Sequence, residues 1–282
     1  MTDGAANDLA RVLGAFSLFR TPAKVRDALS DRTALDASLS ELEADVEHDI
    51  YVRASLLRDA GIGVITVDDD RFPSGLKHRG RAIAPALFYR GNLDLLKSRC
   101  ISVSGSRDVS ERGSAAATRL GEIAAAGSCL VAGNARGVDT ITASAALTAG
   151  GSAILVLPEG ITHFRPKSAF RSLLTPTNHL VVSQFPPDQR WAAHNAMVRN
   201  RVICGLASSV VVVEARDSGG SLAAGREAIK LGRLLITLSF ENQTPPGNQI
   251  LIGEGAVAAN TPEELQELLS RTDDRPEQTT LL

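Results

Sequence analysis

The sequence predicts an α/β protein, a parallel sheet covered by helices on both faces, with a small helical domain in front of it. Two observations carry the prediction. From Cys100 onward, short apolar runs rich in β-branched residues alternate with helix-length segments and repeatedly end in glycine turns. The runs are also nearly continuous, as in Val210-Val211-Val212-Val213, which is how strands buried on both faces read. A length of 282 residues accommodates one large α/β domain and something small. The expected division is a helical domain over 1–60, a sheet domain over 61–270 and a polar tail over 271–282.

The elements follow in order. Leu9, Val12, Leu13, Phe16 and Phe19 fall near helical spacing, Thr21-Pro22 restarts a helix, and Ser38 to Leu57 continues an apolar stripe among charges. Gly61 to Val67 is a short strand, and Asp68-Asp69-Asp70 is a solvated turn with no completed ligand set for a cation. Ala86 to Leu93 reads as a strand with a turn. Ile101 to Ser104 is the next strand, broken at Gly105-Ser106-Arg107. Ser110 is placed to cap a helix running to about Gly127. Leu130 to Ala132 is a strand ending in the turn Gly133 to Gly137, followed by a helix over Val138 to Ala149.

Strand Ala153 to Leu157 leads through Pro158-Glu159-Gly160 and the loop His163 to Lys167 to a helix near Ser168 to Leu174. Strand Leu180 to Ser183 precedes a loop carrying Arg190-Trp191 and a helix over Asn195 to Gly205. Strand Ser209 to Glu214, the turn Asp217 to Ser221, a helix over Leu222 to Leu231 and strand Leu234 to Leu238 follow. Thr261-Pro262-Glu263-Glu264 opens the last helix with a cap, a proline at the first position and a capping-box glutamate.

Net charge is only −2, but it is unevenly spread. Residues 1–70 hold 7 Lys/Arg against 14 Asp/Glu, while residues 163–233 hold 10 against 4. A basic middle behind an acidic start fits a polyanion site on the sheet domain, and equally a solvated surface. The three cysteines, Cys100, Cys129 and Cys204, each lie in or beside an apolar run and read as reduced core thiols of a cytoplasmic protein. The histidines show no metal-ligand spacing, so no metal and no cofactor is expected. No apolar run reaches the length of a membrane span, and the N-terminus lacks signal-peptide character.

Two glycine turns at one edge of a parallel sheet, each with an arginine (Arg107, Arg136), suggest a phosphate-binding mouth, because strand ends and helix N-termini there attract anions. The candidate phosphate set is Gly105, Ser106, Arg107, Gly133, Arg136, Gly137, Lys167, Arg199, Asn200, Arg201, Gly220 and Ser221. Asp139 is expected to orient Arg136 or to cap its helix, and a purely structural Arg–Asp turn reads equally well. Neither GxGxxG nor GxxxxGK[ST] is present, which takes the main support from dinucleotide and P-loop readings. Trp191 and Phe164 could stack on a base, but the lone tryptophan is expected to pack against its own domain. Glu159 and Glu214 end strands and could serve as acid or base, although such carboxylates mostly pair with nearby arginines. No nucleophile constellation is evident.

Several of these stretches, in this order, resemble the DNA-processing family called DprA or Smf. They are Gly61 to Thr66 with Phe72-Pro73, Ala86 to Leu93, Val103 to Arg107, Ala135 to Asp139, Ser183 to Pro186, Arg199 to Leu206, Val211 to Ala215, Gly220 to Leu222 and Gly255-Ala256. The resemblance implies an extended Rossmann-like domain, non-catalytic binding of single-stranded DNA in a basic pocket at the strand ends, a homodimer, and loading of the RecA recombinase in DNA uptake or repair. Position by position, Arg107 looks like the arginine of the GSR turn, Arg199 and Arg201 match the RNR motif, and Gly220-Ser221 match the glycine–serine turn.

The chain departs from the family pattern at Asn134, at Ala143 for a histidine, at Gln184 for a glutamate, at Ala196-Met197 for Phe-Pro, near Ala224 for a threonine and at Gln249 for an asparagine. No winged-helix domain is expected after residue 270. The arginines remain while several polar partners change, so DNA binding is the better-supported expectation than RecA loading. A small-nucleotide-binding sensor of the same superfamily is the alternative. A basic strip spanning several nucleotides would favour DNA, and a closed pocket a mononucleotide.

Overall fold

The computed structural model describes residues 3–19, 21–240 and 243–271. Most of the tail expected at 271–282 therefore lies outside the described residues. The chain opens with helices α1 (Asp3–Leu18), α2 (Pro22–Ser30), α3 (Arg32–Ser40) and α4 (Ala44–Asp59). Strands β1 (Gly63–Thr66), β2 (Lys77–His78), β3 (Arg81–Ala82), β4 (Ala86–Gly91) and β5 (Cys100–Ser104) follow. Alternation then begins with α5 (Glu111–Ala125), β6 (Cys129–Ala132), α6 (Val138–Thr148), β7 (Ser152–Val156) and β8 (His179–Ser183). It continues through α7 (Ala193–Leu206), β9 (Ser209–Val212), α8 (Gly220–Lys230) and β10 (Leu234–Leu238), and ends with α9 (Pro246–Gly253), β11 (Val257–Ala259) and α10 (Pro262–Ser270).

Among the described residues, nine strands form one sheet in the order β1-β4-β8-β7-β6-β5-β9-β10-β11, and β2 pairs with β3 in a separate ribbon. From β8 to β11 every neighbouring pair is parallel. At the other edge β4 runs antiparallel to β8, and β1 antiparallel to β4. The chain lays down β5 to β8 outward in one direction, then returns to place β9 on the opposite side of β5. The connections diverge at that point, which opens a crevice between the ends of β5 and β9.

Side chains alternate across the sheet. Ile101, Val103, Leu130, Ala132 and Leu155 enter one core with α5 and α6. Val131, Ile154, Val156, Leu180 and Val182 enter the other, beneath α7, and Val210 and Val212 pack beneath α8. Both faces are thus buried, as the continuous apolar strands require, and each buried Leu, Ile or Val side chain contributes about 1.5–3 kcal/mol. The four N-terminal helices do not stand apart from this core. Leu9, Val12 and Leu13 of α1 share its first cluster with Phe88 of β4, and the rings of Phe16 and Phe88 lie 6.1 Å apart.

Local chemistry sets the helix ends. The side chains of Thr21, Asp31, Ser110 and Thr261 accept from Lys24, Ala34, Gly113 and Glu264 N–H groups. The helix expected near Ser168 to Leu174 is only a single 3-10 turn, Arg171–Leu173. Pro166 and Thr175-Pro176 hem the segment in, since a residue before proline disfavours the helical region. The acidic turn is paired as a solvated turn would be, Asp68 with Arg32 and Asp69 with Arg71.

Candidate nucleic-acid interface

The crevice is floored by strand ends and walled by the turns that follow them. After β5, the Ser106 hydroxyl accepts from Asp108 N–H at 3.1 Å and donates to Asp108 O at 2.7 Å, which fixes the Gly105-Ser106-Arg107-Asp108 turn. Behind it, the Glu214 carboxylate accepts from Ser110 N at 3.0 Å and from the Ser110 hydroxyl. This glutamate sits at the N-terminus of α5, where a carboxylate is stabilised by the helix dipole. It is therefore neither the free acid–base group that its place at a strand end allowed nor the partner of an arginine.

After β6 the chain turns through Asn134 at φ 55° and Gly137 at φ 79°. Asparagine tolerates the left-handed region, and Gly137 is required there twice over. A Cβ on Gly137 would lie 2.3 Å from the carbonyl oxygen of Ser106, where the two turns meet. Asp139 is buried at 6% exposure and accepts from Gly133 N at 2.9 Å and Ala135 N at 3.3 Å. It thus holds the backbone of its own turn rather than orienting Arg136, whose guanidinium reaches Asp108 at 2.6 Å.

Arg199, on α7, forms the floor. It is 6% exposed, and its Nε has no hydrogen-bond partner among the described residues. It lies against Gly133 so closely that a Cβ there would fall 1.6 Å from Nη1. Burial pushes this guanidinium below its usual value, and the charges of Asp139 and Glu159 oppose that shift. Burial likewise raises both carboxyls, with Arg199 working in the other direction. Arg199 and Asp139 are buried and Glu159 is half-buried beside them, so the buried cation is offset by two carboxyls.

The remaining candidates divide. Asn200 donates to Gly220 O at 3.3 Å and joins α7 to the start of α8. Gly219, at φ 99°, precedes α8 without a side-chain cap, so the first N–H groups of that helix, at Gly220 and Ser221, open onto the crevice. Arg201 is not brought to the mouth. Two positions along a helix are about 200° apart, and Arg201 instead bonds Glu227 of α8 at 2.8 Å.

Two adjoining concavities result. The first, of about 380 Å³, is lined by Arg107, Asp108, Asn200, Arg216 and the start of α8. The second, of about 460 Å³, is lined by Asn134, Arg136, Glu159, Arg165 and Lys167. Arg107, Trp191 and Arg199 border both. Trp191 corrects an expectation, for it does not pack inward but is 54% exposed. Its loop is anchored without it, by Phe185 in the core wall and by backbone bonds from Gly160 N to Gln189 O and from Thr162 N to Pro187 O. Phe164 is buried in the core rather than placed on the crevice wall. Sequence reasoning missed Arg216, Arg165 and Asp108. Arg216 follows β9 by four residues, at the same edge as the other arginines, and its position was the available signal.

The family model for DNA recombination-mediator protein A matches residues 63–270. The chain is 36% identical over 173 residues to the DNA processing protein DprA of Streptococcus pneumoniae, covering 60% of this chain and 61% of that protein. It is 36% identical over 189 residues to protein Smf of Escherichia coli, covering 65% of this chain and 50% of that one. It thus spans about half to three fifths of these two relatives. The X-ray structure of the S. pneumoniae protein superposes with a TM-score of 0.66 at 26% identity, over 93% of this chain and 95% of that chain. DNA processing protein A of Helicobacter pylori shares the fold, with a TM-score of 0.64 at 21% identity over 74% of this chain and 96% of that chain. With its extended sheet, its paired glycine turns and a match spanning nearly all of the sheet region, the chain belongs to the DNA recombination-mediator protein A family.

Proposed function

We propose that this chain binds single-stranded DNA along the strand-end crevice and acts as a recombination mediator without performing chemistry on the strand. One observation carries the reading. Two concavities adjoin at Arg107 and Trp191, and their rims bring Arg107, Arg136, Arg165, Lys167 and Arg216 to one edge of the sheet. A mononucleotide fills one concavity, whereas a strand has phosphates for both and a base for the exposed indole between them. Arginine forks suit phosphate oxygens, and base–aromatic stacking contributes about 1–3 kcal/mol per base.

Two of the three strand-end carboxylates support the non-catalytic part, because Glu214 and Asp139 are committed to backbone and cap bonds, while Glu159 stands on the second concavity with its carboxyl raised by burial. The single-stranded DNA binding of the H. pylori relative points the same way. A homodimer, RecA as partner and a cytoplasmic site of action are proposed with it, on the family resemblance. For location the structure adds that, among the described residues, no helix is long and apolar enough to cross a membrane.

Length dependence tests the reading. Labelled oligothymidylates of about 4, 8 and 16 nucleotides should bind with rising affinity as both concavities fill, and thymidine monophosphate should compete poorly. Equal affinity for the monophosphate and the longest strand would instead identify a nucleotide sensor.

A further inference from the structure

Asp108 stands between two arginines that the crevice would otherwise present to a ligand. Its Oδ1 lies 2.6 Å from Nη2 of Arg136, and its Oδ2 lies 3.4 Å from Nη2 of Arg216. The three side chains are 64%, 74% and 73% exposed, so these pairs contribute little to folding. Both Ser106 bonds nonetheless fix the backbone from which this carboxylate projects between the two arginines. Arg216 lines the first concavity and Arg136 the second. One carboxylate therefore occupies a cation from each.

We propose that Asp108 sets the affinity of the site, engaging Arg136 and Arg216 in the free protein until the phosphates of a bound strand displace it. The proposal rests on the reading of this crevice as a single-stranded DNA site. It has an uncommon consequence: removing a polar side chain from the binding mouth strengthens binding. A carboxylate freed of its arginines recruits a cation from solution, which offsets one of the cations released from the DNA. The salt dependence of the native protein is accordingly shallower than its phosphate contacts alone would give.

The test is a titration of a labelled strand of about 20 nucleotides across a salt series, with wild type, Asp108→Asn and Asp108→Glu, each checked for an unchanged melting temperature. Asp108→Asn should bind roughly 3- to 10-fold more tightly at about 0.1 M salt, with a log–log slope steeper by about one. Asp108→Glu, which keeps the charge, should retain the wild-type slope. If wild type binds and Asp108→Asn binds equally or more weakly, the proposal is overturned, because the carboxylate then positions the arginines or the arginines touch no phosphate. If neither wild type nor either variant binds at low salt, the DNA reading fails and the proposal fails with it.

Discussion

Arg199 and Arg107 border the same two concavities, yet they belong to different regimes. Arg199 is sealed at 6% exposure beneath the mouth, pressed on Gly133 and balanced by Asp139 and Glu159. Arg107 lies on the open rim between the concavities. A buried charge is tied to the fold, since its removal strands the opposite charge beside it, while a rim charge is available to a ligand. The floor should therefore control stability and the rim should control binding.

The largest effect expected is from Arg199→Ala, which leaves Asp139 buried without its compensating charge. It should destabilise the protein by roughly 3–5 kcal/mol, read from urea unfolding. A loss below about 1 kcal/mol would erase the distinction between floor and rim. Gly133→Ala should follow at about 1–3 kcal/mol, because its Cβ, 1.6 Å from Nη1, must drive the guanidinium off its seat. The same unfolding curves measure it.

Protonation sharpens the comparison further. Burial raises the carboxyls of Asp139 and Glu159 in the folded protein. Their native forms hold protons more readily than the unfolded chain, where such groups titrate near about 4. Their contribution to stability is thus fully present below that pH and is lost as pH rises through the native values. Glu159→Gln should flatten the decline of the urea midpoint as pH rises above about 4, and an unchanged profile would contradict the assignment. The smallest stability change should come from Arg107→Ala, within about 0.5 kcal/mol of wild type.

Much of the fold was legible because local chemistry specifies it. Ser110 caps α5 as its position indicates, and β10 has the bounds that its apolar run implies. What escaped depended on pairing and direction. Nothing in Gly63–Thr66 or Ala86–Gly91 states that these strands would run antiparallel at the edge of a parallel sheet. The short helix Pro246–Gly253 was not legible either, although Asn248 within it is fully buried and bonds Ala215 N, Val213 O and Leu238 O. Its neighbour Gln249 is exposed and donates its side-chain amide to Thr244 O at 3.0 Å.

In the site, the turns and Arg199 could be found as motifs, but their division of labour could not. That Arg201 faces away follows from helical geometry and could have been inferred. That Asp139 serves two backbone N–H groups while Arg136 turns outward to Asp108 required the folded turn itself.

The most direct measurement is binding of a labelled single strand across a salt series by wild type and Arg107→Ala. The rim account predicts an unchanged urea midpoint, weaker binding by the variant and a log–log slope flatter by about one, as one phosphate contact is lost. An unchanged slope and affinity, with wild type binding, would place the strand elsewhere on the molecule and contradict the account.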